Sequence, residues 1–246
     1  MDDIGASSKI YEVYGKGLPI FCNFLFLKYI KPFKKWGRYN EITAETWREI
    51  FKLLRNYNIR MTLAITAGWV ERDNQITPFP EKFPKQAKLI KEAFKQGLVE
   101  VANHGLTHCV VGEHLPKLFS SNRKYHREFW PWVSKKIHQE HLEKSQQILE
   151  DFFEERIVTF VPSASVWTKE TEKYAAACGI KYLSAKEELC PSGKISNNIQ
   201  YIGETNIFVF HDRDIVLSGI DWLEEKIKKY LQKYQKICRV RDLIKE

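Results

Sequence analysis

No two of the five cysteines form a Cys-x2-Cys pair. Cys22, Cys109, Cys178, Cys190 and Cys238 are scattered and odd in number, which excludes a cysteine zinc ribbon and offers no disulfide framework. A reducing, cytoplasmic compartment is therefore expected. Long apolar runs are also missing. The most apolar early stretch, residues 18–27, is too short and too interrupted to cross a bilayer and has no leader-peptide cleavage pattern, so no membrane span is expected. Focused charge is lacking as well. The net charge is +8, with basic residues gathering in residues 28–38 and 224–245. The second of these stretches has Leu223, Ile227, Leu231, Tyr234 and Cys238 at helical spacing with lysines between them, the pattern of a solvated amphipathic helix. No nucleic-acid motif is present and no nucleic-acid partner is expected; binding of an anionic polymer would show itself as affinity falling steeply with salt.

What is present suffices for one large core. With 246 residues, 43% of them hydrophobic, the chain is expected to form a single domain over residues 1–246. Helical and extended signals alternate. Thr43 caps a helix with apolar positions Trp47, Ile50, Phe51 and Leu54, and residues 59–65 follow as a buried strand. Residues 84–96 are helical with Gly97 as the stop, and residues 98–102 are extended. Further on, residues 139–153 read as helix and 157–161 as strand, Thr168 caps a helix ending at Cys178-Gly179, and 180–184, 199–202 and 207–210 read as strands before the closing helix. This alternation predicts a parallel α/β sheet, closed or nearly closed, whose active face gathers the loops that follow the strands.

The chemistry concentrates at those loops. His104-Gly105-Leu106-Thr107-His108 places two imidazoles four residues apart where a strand ends, a spacing suited to a divalent ion such as zinc. A catalytic zinc needs a third protein ligand. Asp2-Asp3-Ile4-Gly5 offers adjacent carboxylates, one to bind metal and one to move protons. His138 and His141 provide an internal control: they lie in a polar helical pattern and are expected to be solvated.

Taken in order, Asp2-Asp3-Ile4-Gly5, His104-Gly-Leu-Thr-His108, Phe160-Val161-Pro162 with Gly179-Ile180 downstream, and Phe210-His211-Asp212 resemble the motifs of the NodB-like polysaccharide deacetylases, carbohydrate esterase family 4. The resemblance implies a distorted (β/α) barrel. It also implies Asp2 as base, Asp3, His104 and His108 as ligands of a divalent metal (zinc, with cobalt or nickel as alternatives), and His211 as acid. Only Met1 precedes the carboxylates, so the barrel is expected to lack its first strand.

There are departures from the pattern. The family commonly has an arginine ahead of the third-motif proline, whereas Phe160 and Val161 precede Pro162 here, and no tryptophan-bearing fourth motif stands around residues 184–189. Residues 112–132 read as an insertion at the active face and a substrate-binding wall. Trp69, Pro162, Ser163, Trp167 and His126 are the candidate substrate contacts, with His126 also the reserve acid; the tryptophans are chosen because aromatic faces stack on sugar rings. The expectation is a hydrolase that removes an N-acetyl or other acyl group from a sugar or glycan precursor. The alternative is a catalytically silent barrel that binds a glycan or protein partner.

Overall fold

Thr43 opens the first helix as the spacing predicts, its hydroxyl accepting the Thr46 N–H. In the computed structural model, which describes residues 1–11, 26, 30, 40–115 and 123–244, this helix, α1 (Ala44–Asn56), buries Trp47, Ile50, Phe51 and Leu54 on one stripe. Asn58, in the left-handed region at φ +50°, turns the chain into β1 (Met61–Ile65). A hairpin of β2 (Gly68–Val70) and β3 (Ile76–Pro78) follows, then a single turn α2 (Phe79–Lys82) and α3 (Pro84–Lys95). Next come β4 (Val99–Asn103), the long α4 (Lys135–Phe153), the two-residue β5 (Thr159–Phe160) and α5 (Lys169–Ala177). The chain continues through β6 (Tyr182–Ala185), β7 (Ile195–Ser196), β8 (Ile199–Gly203), α6 (Asp212–Ser218) and α7 (Ile220–Tyr234).

The sheet order is β1-β4-β5-β6-β8-β7, parallel up to β8 and closed off by the antiparallel β7. β1 and β4 are buried at every position, as expected of parallel strands covered on both faces. Two apolar clusters fill the molecule. One lies among β1, β4, α1, α3 and α7; the other joins Phe129, Leu142, Phe160, Leu183 and Tyr201 under α4 and α5. A residue such as Phe160, fully buried in the second cluster, is worth about 3–5 kcal/mol against alanine.

Several expectations change. Residues 1–4 themselves run where a first strand was thought missing, bridging in parallel to Ile65 through Ile4 and to His211 through Asp2. Their backbone is paired on both sides: the Met1 amine donates to the Thr62 carbonyl, Ala64 N–H to Met1, Thr66 N–H to Ile4, and Asp2 N–H to Phe210. Residues 207–210, expected as a strand, are not one: Val209 N–H folds back onto the Ile207 carbonyl, and the pairing to Asp2 starts at Phe210 and continues with Asp212 N–H. The closing helix stops at Tyr234, not residue 245. Gln235 adopts φ +62°, and the tail turns inward so that Val240 N–H reaches the Thr62 hydroxyl. His138 and His141 are not solvated: His138 is buried on the inner face of α4 and His141 is half-buried against Glu128. The β2–β3 hairpin and α6 had no sequence prediction, being too short to show a periodicity. All of the basic stretch 28–38 except Ile30, and part of the 112–132 insertion, residues 116–122, lie outside the described residues.

Candidate metal and acid–base site

Asp2 and Asp3 sit between β1 and the turn at His211, and Asp3 adopts the left-handed conformation at φ +63°. Gly5, at φ +74°, completes that reversal; a Cβ there would come within 2.6 Å of the Phe79 ring. β4 delivers His104 from the neighbouring strand, since β1 and β4 pair in register from Met61↔Val99 to Ile65↔Asn103. Residues at opposite ends of the sequence thus end at one edge of the sheet.

The convergence is close. His108 Nε2 lies 3.0 Å from Asp3 Oδ1, and His104 Nε2 lies 3.4 Å from the same oxygen and 3.1 Å from Asp2 Oδ1. Ligand atoms of Asp3, His104 and His108 fall within 4.8 Å of one another, as do those of Asp2, Asp3 and His211. His104 is 0% exposed and Asp3 5%. Neither Nε2 finds a hydrogen bond of acceptable geometry among the described residues. The His104 Nδ1–H donates to the Val161 carbonyl at 2.6 Å, which turns the Nε2 lone pair toward carboxylate oxygens. Two acceptors facing each other in a buried space need a cation or proton between them, so the donor set fits a divalent metal. The outer contacts fit too: the second histidine, His108, has its Nδ1 3.0 Å from the Ser8 hydroxyl.

The electrostatics follow from this crowding. Burial alone would depress the His104 pKa, but Asp2, Asp3 and the Val161 carbonyl hold it up at about 9. Burial would raise the Asp3 carboxyl, yet the His108 charge and the close approach of both imidazoles hold it well below the usual carboxylate range. Asp212, sealed from water beside Lys9, is pushed up to about 7 by burial. His211 caps α6 with its ring beside Asp214, whose Oδ2 is 3.5 Å from Nδ1 and accepts the His211 N–H at 2.8 Å. Against burial, Asp214, Asp3 and Asp2 raise the His211 pKa above its ordinary value.

Sequence reasoning missed four neighbours. The Arg213 guanidinium, buried, lies 3.7 Å from Asp3 Oδ2, so the cationic side chain beside the carboxylates comes from α6 and not from the position ahead of Pro162. Lys9 bonds both the Asp3 carbonyl oxygen and Asp212. Glu128 accepts the N–H groups of Leu106, Thr107 and His108, and His141 donates to Glu128 in turn. Only Arg213, two residues from His211, carried any signal in the chain.

Of the five candidate substrate contacts, Trp69, Trp167 and His126 are engaged by protein neighbours, and Pro162 and Ser163 adjoin the site. Trp69 is 9% exposed and packs edge-on against Phe83, and His126, expected in an active-face wall, is buried with Nε2 against the His114 carbonyl. Trp167 stands edge-on to Tyr201. Pro162 and Ser163 follow directly from the Val161 that bonds His104; Ser163 is buried and its hydroxyl finds no partner among the described residues. An apolar cavity of about 430 Å³ lies elsewhere, at the amino ends of the strands, lined by Ile59, Met61, Phe208 and Tyr230.

The family model described as polysaccharide deacetylase matches residues 37–183. Among solved structures, a CE4 family pseudoenzyme from Bacillus anthracis is similar at 14% identity and a TM-score of 0.50, covering 81% of this chain and 60% of its own. The deacetylase domain of BpsB from Bordetella bronchiseptica shares 17% identity over 64% of each chain, with a TM-score of 0.42. A polysaccharide deacetylase structure from Mycobacterium smegmatis shares 15% identity over 57% of this chain and 38% of that one, with a TM-score of 0.39. The chain therefore spans less than two thirds of each of these structures. No curated protein matches. The arrangement is that of the NodB-type distorted (β/α) barrel.

Proposed function

The chain belongs to the polysaccharide deacetylase family, and from that premise we propose that it is a metal-dependent hydrolase removing an N-acetyl or other acyl group from a sugar or glycan precursor. One observation carries the reading: two buried imidazole nitrogens without hydrogen bonds converge with the Asp3 carboxylate within 4.8 Å. Asp3, His104 and His108 would hold a divalent cation, zinc first and cobalt or nickel next. When bound, the cation supplies Lewis acidity to the acyl carbonyl and acidifies a water.

The remaining steps belong to side chains. Asp2, whose Oδ1 is 3.1 Å from His104 Nε2, accepts the proton of the attacking water. His211, whose pKa Asp214, Asp3 and Asp2 raise against burial, delivers a proton to the departing amine. Asp214 orients that ring. A backbone N–H of the loop at residues 163–165 is the candidate donor to the developing oxyanion, a contribution of a few kcal/mol. Trp132, 53% exposed, is an aromatic face open to a sugar ring among the described residues of the 112–132 segment. A cytoplasmic location follows from the scattered cysteines, and no helix among the described residues is long and apolar enough to cross a membrane.

The test is metal content together with acetate release. The purified protein is expected to hold about one equivalent of zinc, cobalt or nickel, to lose it on His104→Ala, and to release acetate from N-acetylated oligosaccharides. Metal without acetate from any acylated sugar would favour the silent glycan-binding barrel, and no metal at all would sink the hydrolase reading.

A further inference from the structure

We infer that Glu128 is the positioning residue of the metal-ligand loop, its carboxylate holding the backbone that aims His108 at Asp3; this rests on the metal reading above. Glu128 is 1% exposed and accepts three successive backbone N–H groups: Leu106 at 2.9 Å and Thr107 at 3.2 Å on Oε1, and His108 at 3.1 Å on Oε2. Consecutive N–H groups converging on one anion form a concave nest that a neutral side chain cannot fill equally well. A carboxylate taken out of water is costly unless its charge is matched and its lone pairs are used. Here the lone pairs are used, by the three N–H groups and by the His141 ring, which donates from Nδ1 to Oε1.

What this arrangement secures is a backbone shape. His108 sits at φ +56°, a conformation that L residues other than glycine seldom adopt, and its own N–H is one of the three that Glu128 holds. That left-handed residue puts Nε2 3.0 Å from Asp3 Oδ1. The approach also explains a glycine between the two histidines. At Gly105 (φ +90°) a Cβ would stand 2.2 Å from Glu128 Oε2, so the carboxylate and any larger residue cannot share the space. The preceding end of the loop is tied to the same helix: the Asn103 amide donates to Ser145 and Gln146 of α4, while its carbonyl oxygen accepts the Gly105 N–H. The ligand loop is thus held to α4 at both ends, by Asn103 directly and by Glu128 through His141.

The full chain tests this through zinc affinity, measured by competition with a chromogenic chelator, and through amide hydrogen exchange at Leu106–His108. Glu128→Ala is expected to weaken zinc about 10- to 100-fold, the range for residues that orient a ligand without touching the metal, and to speed exchange at those three amides. Glu128→Gln, which keeps one acceptor oxygen, should lose less and serves if the alanine variant does not fold. Glu100→Gln is the control for general loosening: Glu100 is an equally buried carboxylate, bonded by the Thr62 and Thr159 hydroxyls within the sheet. It should lower the melting temperature and leave zinc affinity in place. Zinc affinity unchanged in both Glu128 variants, or weakened equally by Glu100→Gln, overturns the inference. Wild-type protein that takes up no zinc overturns this inference and the metal reading together, whereas zinc uptake with insensitive Glu128 variants overturns this one alone.

Discussion

The two close histidine pairs of this protein have opposite environments. His138, on α4, has both ring nitrogens used: Nδ1 accepts from the Thr171 hydroxyl at 2.9 Å and Nε2–H donates to the Trp130 carbonyl at 3.2 Å. One neutral tautomer satisfies both bonds, and burial holds its pKa below the ordinary value. Its helix mate His141 is spent on Glu128. His104 and His108 are buried as well, yet each leaves Nε2 without a hydrogen bond, and carboxylates raise the His104 pKa to about 9. Burial is common to both pairs. What separates His138 from His104 and His108 is whether the second ring nitrogen has a hydrogen-bond partner.

The comparison can be broken by substitution. The largest effect is expected at the loop pair: His104→Ala should abolish stoichiometric metal binding and lower deacetylation by about a thousandfold or more, equivalent to roughly 4 kcal/mol of transition-state stabilisation. Metal analysis and acetate assays check this. His211→Ala should cost about 10²- to 10⁴-fold in turnover while the metal stays bound, which separates acid from ligand. Asp214→Asn sharpens the electrostatic side. The Asp214 carboxylate stabilises the His211 imidazolium, so its loss lowers that pKa, and the alkaline limb of the kcat/KM profile should move to lower pH. The smallest effect falls on the helix pair: His138→Ala, which strands the Thr171 hydroxyl and the Trp130 carbonyl, should cost about 1–3 kcal/mol of stability by denaturant titration and leave zinc affinity alone. A wild-type fold that keeps full stability as pH falls below about 6.5 would contradict the burial of neutral His138, because the unfolded ring gains a proton that the folded one resists.

Much of this was legible in the chain. The cap at Thr43, the stop at Gly97 and the mainly apolar strand runs gave α1, α3, β1 and β4 close to their observed bounds. The His104–His108 pair and the adjacent carboxylates were visible as residue types at meaningful spacings. The errors share a cause. Residues 207–210 have strand composition but fold back on themselves, and the final helix is cut at Gln235 by a left-handed residue that composition does not mark. His138 and His141 were misread because their polar helix face is polar toward the protein, where Thr171, Trp130 and Glu128 await it.

The sequence by itself determined the order of helices and strands, since periodicity and capping are local, and it supplied the metal-type ligands at the ends of strands. Tertiary structure decided which groups met: Arg213 beside Asp3, Lys9 beside Asp212, and Glu128 under the ligand loop. Those contacts join positions from 20 to more than 200 residues apart. They follow from the register of parallel strands and from backbone donors that had to find an acceptor once water was excluded, and neither is written in any local stretch of the chain.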